Sequence, residues 1–166
     1  MQSTLRFIQA LNTAAYSEVT ISCSGREFQA HKIVICNGSE YFKELCGNQS
    51  TFAESSSRII ELKDDDSDAL MGTLEWLCSG EYASAISADR DASIYALDLY
   101  AVADKYGLSE LMAEIVLAMM LDMPDPEKLV KLIAKVYDDG LRGPALRIVH
   151  QLRDSHLQAL RYTRTS

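Results

Sequence analysis

No CxxC or CxxxC pair occurs among the four cysteines of this chain, Cys23, Cys36, Cys46 and Cys78. A zinc site of the finger or ribbon kind is therefore excluded, and the thiols, set among apolar neighbours, are expected to act as small hydrophobes in a reducing compartment, cytoplasmic or nuclear. Long apolar runs are missing too. The longest, Ile115 to Leu121, stops at Asp122, far short of the ~20 residues that a membrane-spanning helix needs. The first residues alternate Phe7-Ile8 with Gln9 and Asn12, so no signal peptide is expected and the sequons at Asn37 and Asn48 meet no glycosylation machinery. Positive charge is in deficit: the net charge is −8, which excludes general nucleic-acid affinity through counterion release. What basic character exists is concentrated at the end, where Arg142, Arg147, Arg153, Arg161 and Arg164 face the single acid Asp154; this is read as a solvated face. Missing as well are a GxSxG elbow, a P-loop, a GxGxxG turn, an HExxH helix and any repeat of solenoid period. No catalytic residue, metal ligand, cofactor or small-molecule substrate is expected, and the chain is read as a non-enzyme.

With 166 residues, 48% of them apolar, the chain can bury one substantial core, and one domain is the default. Val19, Ile21 and Cys23 alternate with polar residues, Ser24-Gly25 offers a tight turn, and Arg26 to Ala30 resumes the alternation. Residues 19–30 are thus predicted to form a β-hairpin. His31 to Cys36 is continuously apolar after Lys32 and is predicted as a short buried helix stopped by Asn37-Gly38. Ser39 is placed as the N-cap of a second helix carrying Tyr41, Phe42 and Leu45. Arg58 to Leu62 is a third strand, paired with the hairpin.

The acidic run Asp64-Asp65-Asp66-Ser67-Asp68 lacks the alternating ligands and glycine of a calcium loop, and suits the positive end of a helix dipole. Leu70, Leu74 and Leu77 then follow at helical spacing up to Gly80. Two more amphipathic helices, over 91–104 and 108–121, are separated by Gly107 and so are antiparallel neighbours. Beyond Met123-Pro124-Asp125-Pro126, Leu129, Leu132, Ile133 and Val136 mark another helix, and Pro144 opens one with Leu146, Val149 and Leu160. Leu5, Ile8 and Leu11 give residues 1–15 one apolar helical side. The fold class is α+β: a small three-stranded sheet covered by a cluster of α-helices, with residues 122–166 as a helical C-terminal extension.

Six blocks in this order resemble the BTB/POZ family, in particular its short fungal members: Tyr16 to Ile21, Phe28 to Ile35, Ser39 to Phe42, Phe52 to Ser55, Leu74 to Tyr82 (LEWLCSGEY) and Leu99 to Leu108 (LYAVADKYGL). They lie in residues 16–121, the expected BTB/POZ unit. The resemblance implies a protein-interaction module that homodimerises by packing its N-terminal region and first helix across a two-fold axis. Leu5, Ile8, Leu11, Glu18, His31 and Lys32 would then stand at or near the seam. Glu18 and Lys32 match the acid and base of the family's charged pocket; alternatively, Glu18 is merely solvated. His31 is read as a structural hydrogen-bonder rather than a ligand or base.

Phe52-Ala53-Glu54 matches the apolar-x-Glu motif by which BTB adaptors hold a cullin ubiquitin-ligase scaffold, with Phe52 as the anchor or, alternatively, as a staple over the sheet. The substrate-reading domains that such adaptors add do not occur in these residues. A dimerisation module that recruits a corepressor, without a cullin, fits the same residues. The partners expected are a second copy of the chain and another protein, with neither nucleic acid nor membrane.

Overall fold

Ser24 and Gly25 both take positive φ, 49° and 78°, the combination that a two-residue hairpin turn demands. The turn joins β1 (Val19–Cys23) to β2 (Arg26–Ala30) in antiparallel register, Val19 opposite Ala30 and Cys23 opposite Arg26. The structure is a computed structural model that describes residues 17–47, 58–82, 90–121 and 126–138, with positions 146, 149–150, 152–154 and 157. β3 (Arg58–Leu62) lies on the other side of β1 and runs parallel to it, giving the order β2-β1-β3. A parallel neighbour requires a crossover, and the segment that supplies it carries α1 (Lys32–Gly38) and α2 (Glu40–Gly47). The expected α+β architecture holds, and the sheet is small, three-stranded and mostly helix-covered.

Alternation sends Val19, Ile21, Cys23, Phe28, Ala30, Ile60 and Leu62 to the covered face, all buried. Four further helices complete the described fold: α3 (Ser67–Ser79), α4 (Ala92–Lys105), α5 (Ser109–Leu121) and α6 (Pro126–Asp138). Asp66 caps α3 by accepting from the amides of Asp68 and Ala69, and Asp91 caps α4 in the same way. Gly80 closes α3 in the left-handed conformation, φ 76°. Pro126 opens α6, where its missing N–H costs nothing. Leu70, Leu74, Tyr95, Leu97, Leu99, Leu111, Ile115, Leu132 and Val136 fill the helical core. Among the described residues no helix is long and apolar enough to cross a membrane.

Two details depart from the sequence reading. α1 is not a buried helix: Ile35 is wholly covered, but Ile33 is 70% exposed. Four consecutive apolar residues span more than a full helical turn, so one side must face outward. Gly38 does end α1, but Ser39 beyond it is extended, φ −144°, so there is no left-handed cap. The glycine leaves room for a neighbour: a Cβ there would lie 2.2 Å from Leu77 Cδ2, and that side chain would have to shift.

Candidate interaction surface

The residues around the start of α1 form one polar cluster. His31 occupies the N-cap position in extended conformation without a side-chain capping bond. Glu18, just before β1, supplies the acceptor instead: its Oε2 receives the Lys32 backbone N–H at 3.1 Å and lies 3.7 Å from His31 Nδ1. A carboxylate at this end of a helix satisfies an orphan amide and complements the dipole. The structure thus brings Glu18, His31 and Lys32 together, with Glu18 meeting Lys32 through the main chain. Glu18 is far from sealed, with 59% of its side chain exposed.

Behind this cluster the α1–α2 hairpin is bolted to α4. Ser39 Oγ donates to the Tyr106 carbonyl at 2.8 Å and receives the Phe42 amide at 3.4 Å, so it caps α2 as expected and anchors it as well. The Phe42 and Tyr106 rings stack at 4.9 Å, and Tyr41 tilts onto Tyr106 at 4.9 Å. The Tyr106 hydroxyl donates to Asp65 Oδ2, and Lys105 Nζ approaches both Asp65 oxygens at 2.8 and 2.9 Å. Burial, then the bond to Asp65, push the Tyr106 phenol far above its ordinary range.

The acidic run is consumed by this framework. Beyond capping α3, Asp66 pairs with Arg90 at 2.8 Å; Arg90 also reaches Asp68 at 3.2 Å and Asp98, while Arg26 pairs with Asp68 and Lys135 with Asp98 at 3.0 Å. Burial works against ionising Asp66, but the hydrogen bonds from Arg90 and from the Ala69 and Asp68 amides outweigh it and hold the carboxyl below its usual value. Burial pushes the Cys78 thiol up to about 11. Asp66 is thus held in an ion pair, and Cys78 stays protonated at neutral pH. Among the described residues no group of three or more potential ligands is placed to hold a metal ion. A cleft of about 150 Å³ beside Tyr82, Ala96, Ala118 and Met119 is largely apolar.

What the surface offers is exposed apolar side chains. Ile33 on α1 stands directly after Lys32; Ile59 on β3 is 60% exposed; Leu117 and Leu121 on α5 and Val130 on α6 are 59%, 79% and 65% exposed. The sequence reading missed Ile33, although the excess of apolar residues over the width of one helical side signalled it. Leu117 and Leu121, four residues apart on one side of α5, were equally detectable. Leu5, Ile8, Leu11, Phe52 and Glu54 lie outside the described residues.

Similarity to known proteins follows the same outline. The chain is 25% identical over 170 residues to the BTB/POZ and MATH domain-containing protein 6 of Arabidopsis thaliana, covering 94% of this chain and 40% of that protein. It is 29% identical over 104 residues to the mouse Kelch repeat and BTB domain-containing protein 4, covering 63% of this chain and 18% of that protein. It therefore spans less than half the length of either relative. Among solved structures, the BTB domain of human gigaxonin aligns over 69% of this chain and 87% of its own, with a TM-score of 0.49 and 18% identity. The BTB domain of zebrafish PATZ1 aligns over 60% and 72%, with a TM-score of 0.48 and 14% identity. The family model of the BTB/POZ domain matches residues 7–121, and on that extent of agreement the chain belongs to the BTB/POZ family of protein–protein interaction domains.

Proposed function

We propose that this chain is a homodimerising BTB domain, whose seam is built from Leu5, Ile8, Leu11, Glu18, His31 and Lys32, and that it serves as an adaptor for a cullin-based ubiquitin ligase. The observation that carries the dimer is Ile33, an isoleucine 70% exposed beside the Glu18–His31–Lys32 cluster. A large apolar residue in contact with water gains by being covered, and a two-fold axis covers it twice. Burying an isoleucine contributes about 1.5–3 kcal/mol. Ile33→Asp, lost from both subunits, is expected to weaken dimerisation roughly hundredfold or more. Light scattering across a concentration series reads this directly, and a wild-type chain that remains monomeric at tens of micromolar removes the dimer.

The cullin role draws on Phe52-Ala53-Glu54 and on the MATH and Kelch modules named in the relatives. Retention of the wild-type chain on immobilised cullin, abolished by Phe52→Ala and Glu54→Lys, supports it. Failure of the wild type to bind leaves the corepressor-recruiting dimer as the reading. In this assignment residues 1–15 are the dimerisation element, 16–121 the BTB unit and 122–166 the helical extension. The protein works in the cytoplasm or nucleus, without cofactor or small-molecule substrate, and fluorescent tagging checks its location. Kinship with short fungal BTB proteins rests on the same six blocks between Tyr16 and Leu108, and a phylogeny of BTB domains tests it.

A further inference from the structure

The four cysteines are free thiols, and they are not equivalent. Cys23 is 1% exposed and its sulfur donates to the Asp65 carbonyl at 3.4 Å. Cys78 lies alone on α3. Cys36 and Cys46 are a pair. Each sits in the last turn of its helix, α1 and α2, and only Ser39 separates those helices. The two thiols are near enough for Cys46 to act on the titration of Cys36, and Cys36 Sγ donates to the Phe42 carbonyl of α2 at 3.6 Å. Cys46 is 3% exposed, whereas Cys36 is partly open to solvent. One reachable thiol resting on one enclosed thiol is the arrangement in which oxidation of the first is resolved by the second.

We propose that Cys36 and Cys46 form a reversible intramolecular disulfide when the protein meets hydrogen peroxide. The Cys36 thiolate attacks the peroxide O–O bond, giving the sulfenic acid and releasing hydroxide, which takes the thiol proton to become water. The Cys46 sulfur then displaces the second water from the sulfenic acid, so that two thiols and one peroxide become one disulfide and two waters. The bond ties the last turn of α1 to the last turn of α2 and so fastens the hairpin that carries Ile33. Burial, and then the neighbouring Cys46, push the Cys36 thiol up to about 11. Thiolate is therefore scarce at neutral pH, and the first step is slow, its rate rising about tenfold with each unit by which pH climbs toward that value.

The test is exposure of the full chain to hydrogen peroxide, quenching with N-ethylmaleimide, and mass spectrometry of the intact protein and its tryptic peptides. Expected are loss of two hydrogens, a Cys36–Cys46 cross-linked peptide, reversal by dithiothreitol, and a rate that rises about tenfold between pH ~7 and ~8. Cys36→Ser and Cys46→Ser each eliminate the cross-link, while Cys23→Ser and Cys78→Ser leave it. The proposal is overturned if all four thiols remain alkylatable, if Cys36 proceeds to sulfinic acid without linkage, or if the bond joins any other pair or two separate chains. None of these readouts depends on dimerisation or on a cullin.

Discussion

Replacing Asp65 by alanine tests whether the bolt between the α3 entrance and the α4 exit holds the interaction surface in place. Asp65 is 8% exposed, and its carboxylate receives the Lys105 ammonium and the Tyr106 hydroxyl. Tyr106 is itself 1% exposed, so Asp65→Ala strands a buried hydroxyl, at a cost of about 1–3 kcal/mol. Lys105, 41% exposed, returns to water, and its share is discounted to under about 1 kcal/mol. The sum is about 1–4 kcal/mol, a substantial part of a domain's stability.

Tyr106→Phe removes the hydroxyl but leaves Asp65 held by Lys105, and is expected to cost about 1 kcal/mol. The double variant leaves no stranded hydroxyl, so the two effects overlap by about 1–2 kcal/mol. Urea unfolding at fixed protein concentration, followed by the fluorescence of the single tryptophan, Trp76, measures all four corners of the cycle. Because Tyr106 also carries Ser39 and Phe42, Asp65→Ala is further expected to weaken dimerisation. If it lies within about 0.5 kcal/mol of wild type, or if the two losses are additive, the bolt does not exist.

Glu75 is 4% exposed and, among the described residues, its Oε2 has no hydrogen-bond partner; Glu75→Met is therefore expected to stabilise by about 1–2 kcal/mol, and a lower urea midpoint contradicts this. Gly72→Ala sets a Cβ 2.1 Å from the Tyr95 hydroxyl, an overpacking cost of about 1–3 kcal/mol that exceeds the gain in helix propensity. Restoration of stability by adding Tyr95→Phe checks that the hydroxyl is the cause. The Asp66 carboxyl is held below its ordinary value of 3.8 in the folded state, so its contribution is present above that value and is lost as pH falls through the lower, folded one. The difference in melting temperature between wild type and Asp66→Asn is expected to shrink below pH ~4, and a difference that stays constant or grows in acid opposes this.

Much of the secondary structure was legible because it follows from short-range rules. Alternation at Val19, Ile21 and Cys23, the Ser24-Gly25 turn, the capping acid ahead of Leu70 and the stop at Gly80 each state a local preference that the folded chain obeys. For the surface, sequence named Glu18, His31 and Lys32 as neighbours of one seam, with a solvated Glu18 as the alternative. That the Glu18 carboxylate receives the Lys32 backbone amide follows only from the path of α1.

The amino-acid sequence by itself determined where strands and helices begin and end, since backbone sterics, capping and hydrophobic period act over a few residues. Only the tertiary structure decided that β3 lies parallel to β1, that Leu77 lies against Gly38, and that Asp65 serves Tyr106. Each of these is a meeting between segments far apart in the chain. Which of them occur depends on how all the helices share one limited core, and no local pattern records that.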